Sequence, residues 1–334
     1  MTTPEGGPAT SEAGLPPPAP GITTFTIEGR SAPALFVIGW LATLLGAGFL
    51  AVGVLSGGGA MSLALIVIGL LVLSIGLVAG AGSQGIERRA RGAAAYAGPS
   101  PLLVFGASIP VSILVVMAVG LPLGATGVAL DGPVGALLSV VAQALVYVGL
   151  IRLLVVDVGA LSWGAMGVRR PDRAALAEVI GGAAWALPVI ALTLPLSLLL
   201  LAVFPVQPQS PLPPTGEAVG FALSLLAGAI VAPFGEEILF RSFATTAWVR
   251  SVGIRGGVIR AALLFAVAHI LTTTGSSAGD AIGLAVVGFG TRIPIALALG
   301  WIFVRRGTVW ASFGLHAAFN AILLVIAEGA NSAI

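Results

Sequence analysis

Two glutamates and an arginine lie within an otherwise apolar stretch of the C-terminal third of the chain. Glu236 and Glu237 are adjacent, and Arg241 follows four residues after the second of them. On an α-helix Glu237 and Arg241 occupy positions i and i+4 and can form an ion pair, whereas Glu236 points about 100° away. One carboxylate would therefore be neutralised, and the other would be left free to act as a general base.

Both histidines of the chain also lie in apolar surroundings. Phe265 precedes His269 by one helical turn, and Asn320 follows His316 by one turn. Because His316 and Asn320 share a helix face, they could form an oxyanion hole or hold a water molecule. A single histidine in a membrane segment is more often a packing residue, but two histidines with a carboxylate pair favour a functional site.

The elements that position these residues are predicted to be membrane helices. Hydrophobic residues make up 57% of the 334 residues and charged residues only 8%, which is far from the composition of soluble domains. Nine apolar runs are about long enough to cross a bilayer: 33–55, 61–82, 101–123, 134–156, 175–204, 218–247, 255–272, 281–304 and 308–327. The sequence therefore predicts an all-α fold, a polytopic transmembrane helix bundle of about nine spans, with eight as the alternative.

The eighth run is the reason for that alternative. Gly288, Gly290, Arg292 and Pro294 interrupt it, which is typical of a re-entrant or broken helix. The sequence offers no partner and no role for Arg292.

The basic residues predict the orientation. All fifteen are arginines, and their clusters at 88–91, 169–173, 250–260 and 305–306 fall in even-numbered loops. The positive-inside rule then places the N-terminus in the cytoplasm and the C-terminus outside, in a multi-pass protein of the cell membrane.

The absence of cysteine excludes disulfides and thiolate sites. No nucleotide-binding loop is present, and a net charge of +2 gives no support to nucleic-acid binding.

The ordered succession Glu236-Glu237-xxx-Arg241, Phe265-xxx-His269 and His316-xxx-Asn320 resembles the three motifs of the CPBP family. These are the CAAX-protease and bacteriocin-processing intramembrane endopeptidases, also called the Abi family. The Phe240-Arg241 and 307–310 stretches are similar to the family pattern as well, and the match covers about residues 215–327. The chain is therefore predicted to have three parts. Composition predicts a disordered Pro/Gly-rich tail at 1–32, the apolar runs predict N-terminal transmembrane helices of unrecognised type at 33–170, and the resemblance implies a protease core at 171–334.

The resemblance also implies an activity. Glu236 and His269 would activate water to hydrolyse peptide bonds of membrane-associated or membrane-delivered peptides. Glu237 would pair with Arg241, and His316 and Asn320 would hold the oxyanion. The expected partners are a peptide or protein substrate and the lipid bilayer, without nucleic acid or nucleotide.

Three alternatives remain open at this stage. Glu236, His269 and His316 could form a His₂Glu zinc site, making the protein a metalloprotease, although the compact HExxH motif of many zinc proteases is absent. The charged cluster could instead lock a helix bundle, in a non-enzymatic scaffold or immunity protein of the same fold. A proton-coupled transporter could use the same groups as a relay, but related halves are not visible in the sequence.

Overall fold

The computed structural model describes residue 27 and residues 29–92, 95–208 and 212–332. Most of the tail predicted at 1–32 lies outside these residues. The described chain forms helices joined by short connections and contains no β-strand, which confirms the all-α prediction. The α-helices are α1 Pro33–Leu55, α2 Ala60–Arg91, α3 Pro101–Ala125, α4 Pro133–Ile151, α5 Arg173–Ala183, α6 Ala186–Val203, α7 Ala218–Leu225, α8 Ala232–Glu236, α9 Thr246–Ala268, α10 Ala278–Arg306 and α11 Val309–Ser332.

Eight helical stretches among the described residues are long and apolar enough to cross a membrane, and they account for the nine predicted apolar runs because one stretch holds two of them. The predicted sixth and seventh runs lie in one stretch of 51 residues, Ala218–Ala268. A straight helix of that length would span about 76 Å, more than twice the hydrocarbon core of about 30 Å. The stretch is not straight, because Gly253 breaks it with φ 79° and ψ 171°, a conformation that glycine adopts without strain.

The two arms around Gly253 fold back on each other. Phe240 lies before the break and Phe265 after it, yet their ring centroids are only 5.2 Å apart. The predicted sixth and seventh runs are therefore two packed arms joined by a tight turn instead of two helices joined by a loop.

The expectation of a broken or re-entrant eighth run is wrong. Helix α10 is continuous over 29 residues, with Pro294 in its interior. Proline is tolerated inside membrane helices, where neighbouring helices can satisfy the freed backbone groups. The glycines before it serve close packing: a Cβ on Gly290 would lie 2.6 Å from Leu200 of α6, and one on Gly288 would lie 3.3 Å from Ile270.

Two helices hold the C-terminal elements in place. Helix α4 packs along residues 226–245, which include α8. A Cβ on Gly235 of α8 would lie 2.8 Å from Ala144 of α4. Helix α5 packs against α11 at a crossing of two glycines. A Cβ on Gly182 would collide with the carbonyl oxygen of Ala311, and a Cβ on Gly314 would collide with the carbonyl oxygen of Val179.

Candidate active site

Glu236 ends a short helix and Glu237 begins a π-helical segment, the second of two such segments in this part of the chain. These segments, Leu226–Val231 and Glu237–Thr245, flank the short helix α8. The hydroxyl of Thr245 donates to the carbonyl of Phe240 at 2.8 Å, five residues earlier. Wider π-turns are rare and occur frequently at functional sites. Here they change which side chains face the neighbouring helices on either side of Glu236.

Glu237 lies at the centre of a buried polar cluster. Its Oε1 is 3.1 Å from Nη1 of Arg241 and accepts a hydrogen bond of 2.9 Å from Nδ1 of His316. The three side chains are 0%, 1% and 4% exposed in the same order. The guanidinium of Arg241 also lies 4.2 Å from the ring centre of Phe265. The i, i+4 pairing expected from the sequence is present, and it extends to His316 on α11.

Glu236 occupies a more open position between the two histidines. Its Oε2 lies 3.9 Å from Nε2 of His269 and 3.7 Å from Nε2 of His316. The Glu236 side chain is 17% exposed and that of His269 is 26% exposed. Both gaps are too long for direct hydrogen bonds, and a bridging water suits separations of this size.

The hydrogen bonds of the two imidazoles fix which nitrogen faces Glu236. Nδ1 of His269 lies 2.7 Å from the carbonyl oxygen of Phe265, and a carbonyl oxygen only accepts, so this nitrogen carries a proton. Nδ1 of His316 likewise faces the carboxylate of Glu237. In the neutral ring, Nε2 is then the acceptor in both residues, and each Nε2 points toward Glu236.

Asn320 lies one turn beyond His316 on α11, and its amide is already anchored. Nδ2 donates to the carbonyl of Gly228 at 2.8 Å, within the first π-helical segment. One N–H of the amide is therefore occupied, and the second is left as a donor. The structure thus brings Glu236, Glu237, Arg241, His269 and His316 into contact or near contact, and Asn320 borders the same segment.

Two further residues near Glu236 have no place in the sequence motifs. Tyr147 is buried on α4, three residues after Ala144, which packs against Gly235 beside Glu236. Arg292 lies on α10, four residues after Gly288, which packs against Ile270 beside His269. The position of Arg292 inside an apolar run was a usable sequence signal. Tyr147 had none, because its place depends on the packing of α4 against Gly235.

A catalytic zinc site needs three protein donors that converge on one point. In the part of the chain that the structure describes, no group of three histidine, aspartate or glutamate side chains is arranged to hold a metal ion. Glu236, His269 and His316 do approach one another, so zinc stays a prediction that metal depletion tests.

One comparison with known proteins gives a match. The family model described as type II CAAX prenyl endopeptidase Rce1-like matches residues 218–322. That segment contains all seven motif residues, so the resemblance to the CAAX-protease family is confirmed. No curated protein and no solved structure matches the chain.

Proposed function

We propose that this chain, whose residues 218–322 belong to the Rce1-like CAAX endopeptidase family, is an intramembrane endopeptidase that uses Glu236 and His269 to activate water. The family match supports peptide hydrolysis in a multi-pass membrane protein. The observation that carries the catalytic assignment is the placement of Glu236 Oε2 opposite Nε2 of His269, at 3.9 Å.

A water molecule in that gap would be held by two acceptors. It would donate one hydrogen bond to the Glu236 carboxylate and the other to Nε2 of the neutral His269 ring. A lone pair of the water oxygen would then face the scissile carbonyl. As the oxygen attacks the carbonyl carbon, its proton passes to Glu236, and the collapse of the tetrahedral intermediate returns a proton to the leaving amine.

The oxyanion of that intermediate needs donors. The second N–H of Asn320 is one candidate. His316 can donate from Nε2 only as the imidazolium, because its Nδ1 proton is already directed at Glu237. The carboxylates of Glu236 and Glu237 lie on either side of the ring and would balance that charge. Glu237 and Arg241 do not touch the reacting atoms in this scheme; they orient His316.

The test compares membranes that contain the wild-type protein with membranes that contain Glu236→Gln. Glutamine keeps the shape of the side chain but cannot take a proton, so cleavage of the substrate should fall about 10²–10⁴-fold. Glu217→Gln is the matched control, because it makes the same change at an exposed carboxylate immediately before α7. Cleavage products that are missing only from Glu236→Gln membranes identify the substrate.

The joint role of Glu236 and His269 has its own test. His269→Ala should lose activity on the same scale, and the double variant should be little worse than either single variant, since groups that act as a unit are strongly non-additive. If purified, folded Glu236→Gln cleaves a validated substrate at the wild-type rate, the base is misassigned. If the wild-type protein cleaves nothing, the scaffold alternative is favoured.

A further inference from the structure

A second arginine lies at membrane depth beside the proposed catalytic groups. Arg292 is the middle residue of the 29-residue helix α10, about 21 Å from either end. A charged side chain at that depth is costly and usually functional. The arginine is half-buried, so lipid contact alone does not account for its position.

The guanidinium of Arg292 lies next to the end of the segment that carries His269. Nη1 donates to the carbonyl of Gly288 at 2.9 Å, which turns the side chain back along α10. A Cβ on Gly288 would lie 3.7 Å from Nη1 of Arg292 and 3.3 Å from Ile270, the residue that follows His269. Among the described residues, Arg292 forms no ion pair with Glu236 or with any other carboxylate.

Arg292 differs in this respect from Arg241. The guanidinium of Arg241 is sealed between Glu237 and the Phe265 ring, and it is unavailable to a ligand. The guanidinium of Arg292 has one backbone hydrogen bond and keeps its other N–H groups for a partner. An ion pair with Glu236 would occupy the carboxylate that is needed for water, so the natural partner of Arg292 is an anion that arrives with the substrate.

We propose that Arg292 binds a carboxylate of the substrate within a few residues of the scissile bond. The planar guanidinium fork matches a carboxylate in bidentate geometry. The carboxylate can be the free C-terminus of the peptide or an acidic side chain. Lipid phosphates are too distant, because they lie at the edge of a hydrocarbon core about 30 Å thick. The inference rests on the proposed function for the substrate being a peptide.

The experiment measures binding and does not require cleavage. Glu236→Gln protein in nanodiscs of neutral lipid is titrated with a fluorescent pool of nine-residue peptides of mixed Ala, Val, Leu and Phe. One pool ends in a free carboxylate and a second ends in an amide. A third, amidated pool carries one Glu near its C-terminus, and a fourth carries Gln there. The first two pools test the C-terminus, and the last two test an acidic side chain.

At least one charged pool should bind about tenfold or more tightly than its uncharged counterpart: the free acid compared with the amide, or the Glu pool compared with the Gln pool. A tenfold difference in affinity is the effect expected of one charge-assisted hydrogen bond. Arg292→Gln should bring the ratio close to one. Arg292→Lys, which keeps the charge but loses the fork, should give an intermediate ratio and guards against misfolding of the glutamine variant. Arg305→Gln, at an exposed position on the same helix, is the control and should keep the full ratio.

Two results would overturn the inference. One is equal binding of acid and neutral pools, including failure of the acid pools to bind. The other is a preference for acid that survives in folded Arg292→Gln protein. Neither result bears on whether Glu236 catalyses hydrolysis, and loss of hydrolysis would leave the binding ratios measurable.

Discussion

The buried ion pair of Glu237 and Arg241 gives the sharpest stability prediction. Arg241→Met removes the cation and leaves the fully buried Glu237 carboxylate with only His316 and the hydroxyl of Ser312 as polar neighbours. Breaking one partner of such a pair costs about 3–5 kcal/mol, which includes the penalty of an uncompensated buried charge. The contact of Arg241 with the Phe265 ring is lost as well. The folding equilibrium should therefore fall by on the order of 10²–10⁴-fold.

The matched double variant separates charge from packing. Glu237→Gln with Arg241→Met removes both charges and leaves an amide that His316 can still bind, so it should recover most of the lost stability. Unfolding is followed by tryptophan fluorescence as the mole fraction of SDS rises in mixed micelles. Arg250→Met, at an exposed position, should change stability by no more than about 0.5 kcal/mol. The reasoning fails if Arg241→Met unfolds at the wild-type SDS fraction, or if the double variant is less stable than both single variants.

Three further predictions concern topology, metal and packing. Cysteines placed at Arg170 and Ser276 should react with a membrane-impermeant maleimide from opposite faces; labelling from one face would refute the orientation. Activity should survive dialysis against a zinc chelator if the side chains alone activate water, whereas a loss that added zinc restores would establish the zinc alternative. Gly314→Ala should lower stability by about 1–3 kcal/mol through collision with Val179. Gly329→Ala on the same helix meets no neighbour and should be neutral or stabilising by up to about 1 kcal/mol.

The sequence predicted the polar cluster because charged residues in apolar runs are rare and their spacing is informative. The spacing of Glu237 and Arg241 was enough to predict an ion pair, and the structure contains one at 3.1 Å. That His269 and His316 come to the same carboxylate could be inferred only from the resemblance to the protease family. Their catalytic roles stay predictions.

Other features depend on backbone geometry or on contacts between distant helices. The π-helical segments around Glu236 follow from a shift in backbone hydrogen bonding that residue types do not reveal. The end of one apolar run at 247 and the start of the next at 255 predicted a junction here, but the sequence did not show that Gly253 alone would make the turn. Pro294 was misleading, because proline ends helices in water more readily than in a membrane. Tyr147 reaches the site only through the contact of α4 with Gly235.

The crossing of α5 and α11 determines how an unbiased mutational scan of this protein should be interpreted. Gly182 and Gly314 have no functional group, yet each allows a helix backbone to approach its neighbour so closely that a single methyl group collides. Helix α11 carries His316, two residues beyond Gly314. Substitutions at the two glycines should therefore lower the measured activity by lowering the amount of folded protein, although neither residue takes part in the reaction. Measuring the abundance of folded protein together with activity would separate packing variants from catalytic variants. The glycine variants should show reduced abundance, whereas the Glu236 variants should be as abundant as the wild-type protein.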